Sequence, residues 1–426
     1  MTMSILLKNF LVCDGSMEKG RYASLLVDGG LISSFPAAPD SQADETVDGR
    51  GRMALIPGFV NAHTHAAMAL LRGLGEEAPL MDWLRKKIWP LEARLKAEHV
   101  YWGASLAIDE MARNGVTAFG DMYFEMDEVV KASLEMGMRC APCRGLVNDS
   151  REKLEEGLRL ADTWKDYRDF VSVQLGPHAP YTVPFHFLRE ITALARDRDL
   201  GIHFHFLETE WELGYIRDEL KMSPEEYLHA SGISEAPYAV LAHCVWMDPS
   251  VAEKADFSRM AIVHNPKSNL KLGSGVMDLP RIAEKTGRIA LGTDGAASNN
   301  RLDIWDEMRC AALLHKGMKR NPTAVSARSA LRMATYEGAE ALGFMKKGMI
   351  RPGWAADFVL VDLDRPNYAG IDEENAIPFL VYAGSSADVH GTMVAGKWIY
   401  RSGRILTADS DTILEQASKM RRDLLQ

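Results

Sequence analysis

The sequence predicts an α/β protein, a (β/α)8 TIM barrel with a small β-sandwich domain that both chain ends form. Eight short apolar runs alternate with helical patterns through the middle of the chain, and such runs are typical of parallel strands buried on both faces. The two chain ends instead carry short strands around turn residues. A doubly wound open sheet is the alternative, although no G-x-G-x-x-G motif follows a strand to support it.

The eight barrel strands are predicted at 54–62, 115–122, 139–146, 170–176, 201–206, 238–243, 260–264 and 288–293. Helical patterns at 97–114, 125–137, 151–167 and 184–199 lie between them, and Gly115, Gly137 and Gly201 stand where helices commonly end. We expect residues 57–352 to form the metal-dependent catalytic barrel. Residues 1–56 and 353–426 are expected to form the β-sandwich domain, with a C-terminal helix at 409–425.

Composition indicates an ordinary globular protein with a large core. The 426 residues are 47% hydrophobic and 25% charged, with a formal net charge of −10, which disfavours a nucleic-acid partner. The five cysteines are scattered and do not form a disulfide framework. Neither a signal peptide nor an apolar run of membrane-spanning length is recognisable. We therefore expect a cytoplasmic protein without a membrane partner, and a homo-oligomer is left open.

Histidines and an aspartate follow the predicted strands at the barrel face where active sites collect. His63 and His65 end the first strand, His203 and His205 lie on the fifth, and Asp294 follows the eighth. Side chains two residues apart on a strand point the same way, so each pair can reach the barrel axis. His205 lies nearer the mouth than His203 and is the better ligand. Three imidazoles and one carboxylate suit Zn²⁺, with Fe²⁺ or Mn²⁺ as alternatives.

Further polar residues lie at the same face. Glu208 follows the fifth strand closely enough to transfer protons, and His243 ends the sixth, where it can orient an attacking water. His178 lies in a proline-rich loop after the fourth strand, where a substrate contact is favoured over a capping role. That strand contains no lysine to bridge two ions, so we expect a single metal. His264 is expected to support the site from behind, whereas His99, His186, His229 and His315 are expected to face solvent on outer helices.

Several long motifs identify a resemblance. P-G-F-V-N-x-H-x-H at 57–65, H-F-H-F-L-E-T at 203–209, T-D-G at 293–295 and G-x-x-A-D-F-V-L-V-D at 353–362 resemble the amidohydrolase superfamily over nearly the whole chain. Within it, W-P-L-E at 89–92, G-P-H-A-P-Y-T at 176–182, H-N-P-K-S-N-L at 264–270 and T-D-G-A-A-S-N-N at 293–300 resemble the 5-methylthioadenosine/S-adenosylhomocysteine deaminases.

The resemblance implies one zinc ion per subunit, held by the four ligands His63, His65, His205 and Asp294. It also implies that substrate contacts come from Glu92, Arg144, His178, Glu208 and Asp294. Glu92 can accept two hydrogen bonds from a ribose diol, and the planar guanidinium of Arg144 suits the carboxylate of a homocysteine tail. A second arginine often helps in such enzymes, and Arg151 is the nearest candidate.

The implied reaction is hydrolytic deamination of the adenine 6-amino group of S-adenosylhomocysteine, 5′-methylthioadenosine or adenosine. In this hypothesis Glu208 donates a proton to ring N1, His243 stabilises the tetrahedral intermediate, and Asp294 passes a proton to the leaving ammonia. The alternatives are an aminohydrolase for guanine, an oxidised purine, cytosine or a triazine, and a non-catalytic metal-binding scaffold. Residues 68–92 are expected either to cover the substrate or to pack the barrel rim.

Overall fold

The computed structural model describes residues 3–38, 40–78 and 80–426, which form two separate sheets. The strands, in chain order, are β1 Ile5–Val12, β2 Arg21–Asp28, β3 Leu31–Ser34, β4 Glu45–Asp48, β5 Met53–Pro57, β6 Phe59–Thr64, β7 Val116–Tyr123, β8 Arg139–Leu146, β9 Gln174–Pro177, β10 Gly201–Phe206, β11 Ala239–His243, β12 Met260–His264, β13 Ile289–Leu291, β14 Phe358–Asp362, β15 Val389–Val394, β16 Lys397–Arg401 and β17 Arg404–Ile405.

Strands β6 to β13 pair in sequence order, and all of their pairings are parallel. A backbone hydrogen bond from Asp294 N to His63 O (3.0 Å) joins the end of β13 to β6. Every residue of β6, β7 and β10 is buried, because one face of each strand packs against helices and the other faces the barrel interior. The predicted (β/α)8 barrel is therefore confirmed.

The predicted first strand at 54–62 is two strands that belong to different sheets. β5 pairs with β14 of the small sheet, whereas β6 pairs with β7 of the barrel. The chain passes between them at Gly58, where a Cβ would collide with the Thr117 side chain. The predicted fourth strand is shorter than expected: β9 begins at Gln174, and Val171 makes only an isolated bridge to Cys140.

Helices follow most barrel strands and cover the sheet. They are α1 Leu80–Trp83, α2 Trp89–Glu92, α3 Ala97–Arg113, α4 Met126–Met136, α5 Arg151–Trp164, α6 Phe185–Arg198, α7 Glu210–Gly214, α8 Pro224–Ser231, α9 Pro249–Lys254, α10 Pro266–Lys271, α11 Leu279–Ala283, α12 Ala296–Asn299, α13 Ile304–Lys319, α14 Ala327–Met333, α15 Tyr336–Ala341, α16 Ala376–Tyr382 and α17 Ser410–Leu425. Short 3₁₀ turns lie at Ala66–Leu71, Lys165–Tyr167, Ile233–Glu235, Pro366–Tyr368 and Ser386–Asp388, and π turns at Leu84–Ile88 and Tyr215–Glu219. Within the described ranges no helix is both long enough and apolar enough to cross a membrane.

The chain ends meet in one mixed sheet of the order β17-β16-β15-β14-β5-β1-β2-β3, with β4 paired to β1. β1 pairs along one edge first with β4 and then with β5, so the sheet divides there around its own apolar core, which includes Phe10, Leu25 and Phe358. A buried ion pair between Arg139 of β8 and Asp357 connects this sheet to the barrel. The exact domain boundaries at 56/57 and 352/353 stay a prediction.

Candidate active site

The strand ends of the barrel surround a cavity of about 650 Å³. The predicted residues His65, His178, His205, Glu208, His243, Asp294 and Glu92 line it. His63 lies directly beneath them and is fully buried. The structure therefore brings together every predicted site residue except Arg144.

Two overlapping groups of side chains at the floor of this cavity can hold a metal ion. One contains His63, His65 and Asp294, and the other contains His63, His205 and His243; within each group the ligand atoms lie within 4.8 Å of one another. Asp294 Oδ1 lies 3.2 Å from His65 Nε2 and 3.6 Å from His63 Nε2. His63 belongs to both groups, so the four predicted ligands and His243 cluster around it.

The hydrogen bonds of the imidazoles fix which nitrogen of each ring is free. His65 Nδ1 donates to Met122 O (2.6 Å) and His205 Nδ1 donates to His178 O (2.8 Å). Because a carbonyl oxygen can only accept, the proton of each neutral ring lies on Nδ1 and the Nε2 lone pair is left for a metal. The chemistry of the donor set therefore fits a bound cation.

His63 obtains the same tautomer through a buried chain of three side chains. Gln174 Oε1 accepts from His203 Nδ1 (3.0 Å), and His203 Nε2 accepts from His63 Nδ1 (2.8 Å). His63 Nε2 is buried and has no hydrogen-bond partner among the described residues. A buried nitrogen without a partner is costly, and a metal ion would satisfy it. His203 thus occupies the deeper layer that the sequence predicts for it.

Asp294 is held in place by hydroxyl groups. Its Oδ2 accepts from Ser268 Oγ (2.6 Å) and Ser298 Oγ (2.7 Å), which leaves Oδ1 toward the histidines. Burial alone would raise the pKa of the carboxyl, but the neighbouring His63 and His65 outweigh burial and hold that pKa well below its usual range. Its backbone adopts a φ of 61°, which re-aims the side chain at the end of β13.

Two carboxylates and an amide organise the opposite side of the floor. Burial raises the pKa of Glu208, whose Oε1 accepts from Ser274 Oγ (3.3 Å). Glu212 accepts from the backbone N–H of Glu208 (3.2 Å) and so fixes the loop that carries it. His243 Nδ1 donates to Asn269 Oδ1 (2.9 Å), which directs His243 Nε2 at the metal cluster. The sequence reasoning missed Glu212 and Asn269 as individual residues, although Asn269 lies within the H-N-P-K-S-N-L motif.

Arg144 does not lie where a carboxylate clamp in the cavity is expected. Its Nε donates to Glu156 of α5 (2.5 Å), its Nη1 donates to Gly145 O (2.8 Å), and its guanidinium lies over the ring of Phe124. The side chain points out of the barrel toward α5, so the cavity lining contains Gly145 but not Arg144. Arg151 is also directed elsewhere, because it is half-exposed and paired with Glu190.

The remaining predictions have mixed outcomes. The prediction that His99 and His315 face solvent is wrong, because both are buried. His99 pairs with Asp423, and His315 Nε2 lies 3.3 Å from His264 Nε2. His186 and His229 are exposed as expected. Of the loop at 68–92, the side chains that line the cavity are Met68, Leu80, Trp83, Leu84, Ile88, Trp89 and Glu92, and Pro79 lies outside the described residues.

Residues 54–399 match the amidohydrolase family. The chain belongs to this family. As an amidohydrolase it is 42% identical over 387 residues to the 5-methylthioadenosine/S-adenosylhomocysteine deaminase of Dictyoglomus thermophilum, covering 90% of each chain. It is 38% identical over 424 residues to the 5′-deoxyadenosine deaminase of Methanocaldococcus jannaschii, covering 98% of each. It also superposes with a TM-score of 0.92 on a crystal structure of an adenosine deaminase from Xanthomonas campestris with bound zinc, at 31% identity and covering 99% of this chain and 98% of that one.

Proposed function

We propose that this amidohydrolase removes the 6-amino group of adenine from adenosine compounds that vary at the 5′ position. S-Adenosylhomocysteine, 5′-methylthioadenosine, 5′-deoxyadenosine and adenosine are the candidate substrates. The observation that carries the proposal is one cavity lined by Glu208, Glu92 and the predicted ligands His65, His205 and Asp294, with His63 buried beneath it. The names of the relatives in Dictyoglomus and Methanocaldococcus support the same chemistry.

The residues that would hold the metal are His63, His65, His205 and Asp294, and zinc is the proposed ion. When bound, a divalent metal acts as a Lewis acid that lowers the pKa of a water molecule, so that the water can lose a proton and act as a nucleophile at neutral pH. The Nε2 lone pairs of His65 and His205 support this ligand set, as does His63 Nε2, which has no hydrogen-bond partner within the described residues.

Side chains of this protein donate and accept the protons of the reaction. Burial raises the pKa of Glu208, which favours a protonated carboxyl that donates to adenine N1 and makes C6 electrophilic. Asp294 accepts the proton of the attacking water at Oδ1 and delivers it to the leaving ammonia, while Ser268 and Ser298 keep Oδ2 fixed. His243 Nε2 faces the same point and orients the attacking water, because Asn269 holds the other ring nitrogen.

Glu92 supports a nucleoside over a bare base. It lines the cavity from α2, and its carboxylate can accept both hydroxyls of a ribose. Burial raises the pKa of Glu92 and the adjacent Tyr123 hydroxyl opposes this rise. Guanine and triazines carry no ribose diol that could donate to Glu92. These rings are the alternative substrates to be tested.

The test is the E208Q variant of the zinc-loaded enzyme. Loss of the proton donor should lower kcat by about 10²–10⁴-fold and leave the zinc content unchanged, since Glu208 is not among the ligands. E210Q is the matched control, because Glu210 lies two residues away and is exposed. Turnover by E208Q within a few-fold of wild type would contradict the proposed role.

The substrate class is tested separately. Zinc-loaded enzyme is incubated with adenosine, 5′-methylthioadenosine, S-adenosylhomocysteine, 5′-deoxyadenosine or guanine, and loss of the amine is followed by ultraviolet absorbance. We expect activity on the nucleosides. Activity on guanine alone would overturn the proposal.

A further inference from the structure

One wall of the cavity carries a lysine, Lys153. Gly145, Val147 and Asn148, which end and follow β8, line this wall together with Lys153 from the first turn of α5. Among the described lining residues Lys153 is the single lysine or arginine, whereas the carboxylates there are Glu92, Glu208 and Asp294.

Lys153 differs from the nearby arginine in what it already binds. Arg144 is engaged by Glu156 at 2.5 Å, and only 12% of its side-chain surface is exposed. Within the described ranges no ion pair joins Lys153 to a carboxylate, and the side chain is partly buried. Burial and the positive charge of Arg144 lower the pKa of Lys153, with Glu156 and Glu152 acting in the opposite direction. An anion that approaches the ammonium would therefore replace lost solvation.

The position of this lysine matches the 5′ end of the proposed substrate. Adenine C6 must lie at the metal cluster and N1 at Glu208, while the ribose diol lies at Glu92. The substituent on C5′ is then left to the rest of the cavity lining, which includes the loop after β8 and Lys153. Apolar side chains of the lining such as Val147 suit an uncharged methylthio group, but a carboxylate requires a cation.

We propose that Lys153, and not Arg144, is the specificity residue that recognises a carboxylate on the 5′ substituent. This inference rests on the proposed function and names the contact that separates S-adenosylhomocysteine from its uncharged counterparts. The contact is a charge-assisted hydrogen bond from Nζ to the carboxylate. Such bonds contribute enough to change an equilibrium at least about tenfold.

The test compares kcat/KM for S-adenosylhomocysteine with kcat/KM for 5′-methylthioadenosine in the zinc-loaded enzyme. K153M should lower this ratio at least about tenfold, mainly through KM of the charged substrate. The double variant R144Q/E156Q removes both charges of the Arg144–Glu156 ion pair, so neither is left buried without its partner. It should keep the ratio of kcat/KM values within about twofold of wild type. K165M, at an exposed lysine beyond the other end of α5, is the control for a charge lost outside the cavity.

Three results would overturn the inference. The first is a K153M enzyme whose ratio is unchanged, and the second is a loss of ratio in R144Q/E156Q that K153M does not show. The third is a wild-type enzyme that deaminates 5′-methylthioadenosine but not S-adenosylhomocysteine. Each of these leaves the proposed deamination intact, whereas a zinc-loaded wild type that deaminates no adenosyl compound would refute the proposed function itself.

Discussion

The chain of hydrogen bonds behind His63 makes a quantitative prediction about metal affinity. In Q174M the acceptor for His203 Nδ1 is removed while side-chain length is kept, and Gln174 Nε2 has no partner to lose among the described residues. His203 can then carry its proton on Nε2, which forces His63 to protonate its own Nε2 and blocks ligation. Loss of such an indirect support weakens metal binding about 10- to 100-fold, or about 1.4–2.7 kcal/mol.

The assay is competition for zinc between the protein and a chelating indicator. Q174E, which keeps an acceptor oxygen, should retain more of the affinity than Q174M, and kcat at saturating zinc should change less than the dissociation constant. Circular dichroism establishes that both variants are folded. A zinc affinity of Q174M within twofold of wild type would refute the reasoning, because the tautomer of His63 would then not depend on this chain.

Two further predictions concern stability. Arg139 donates from Nε and Nη2 to both oxygens of Asp357, and both side chains are buried. R139M should therefore lower the free energy of unfolding, measured in denaturant, by about 3–5 kcal/mol. The control K19M breaks an exposed ion pair with Glu374 and should change this free energy little. Equal losses would contradict this. Burial lowers the pKa of His315 to about 4, so stability is present above pH ~6.5 and lost as pH falls toward 4. H315Q should reduce the loss of unfolding free energy between pH ~6.5 and pH ~4 by up to about 3 kcal/mol. The same loss in H315Q and wild type would contradict this prediction.

The repeating units of the fold could be predicted because their signal is local. The predicted bounds of β8, β10 and β12 agree with the structure, and α4 ends at Met136 directly before Gly137, whose φ is 74°. The break at Gly58 could not be predicted, because the apolar pattern continues through it. The two strands differ in their pairing partners, β14 and β7, which lie more than 50 residues later in the chain.

In the site, the ligand residues could be predicted from the sequence but their hydrogen-bond partners could not. A histidine at a strand end is visible in the sequence, and the cluster at the floor agrees with that pattern. The partners that select its tautomer are backbone carbonyls such as Met122 O, which every residue carries and no motif marks. Arg144 shows the converse: the family resemblance implied a substrate clamp, but Glu156 on the next helix binds its guanidinium. Residue type alone does not reveal whether a substrate carboxylate or a protein carboxylate will be nearer.

The metal cluster and the closure of the barrel share the residues His63 and Asp294. The backbone N–H of Asp294 donates to His63 O, and Asn61 on β6 exchanges side-chain hydrogen bonds with Thr293. These contacts join the last strand to the first, and they also bring the Asp294 carboxylate to the His63 and His65 imidazoles. A ligand set drawn from β6, β10 and the end of β13 can therefore assemble only when the barrel is closed, which explains why ligands far apart in the sequence lie at strand ends. The wall that carries Lys153 takes no part in this closure, so specificity at the 5′ end can vary without disturbing the reaction centre.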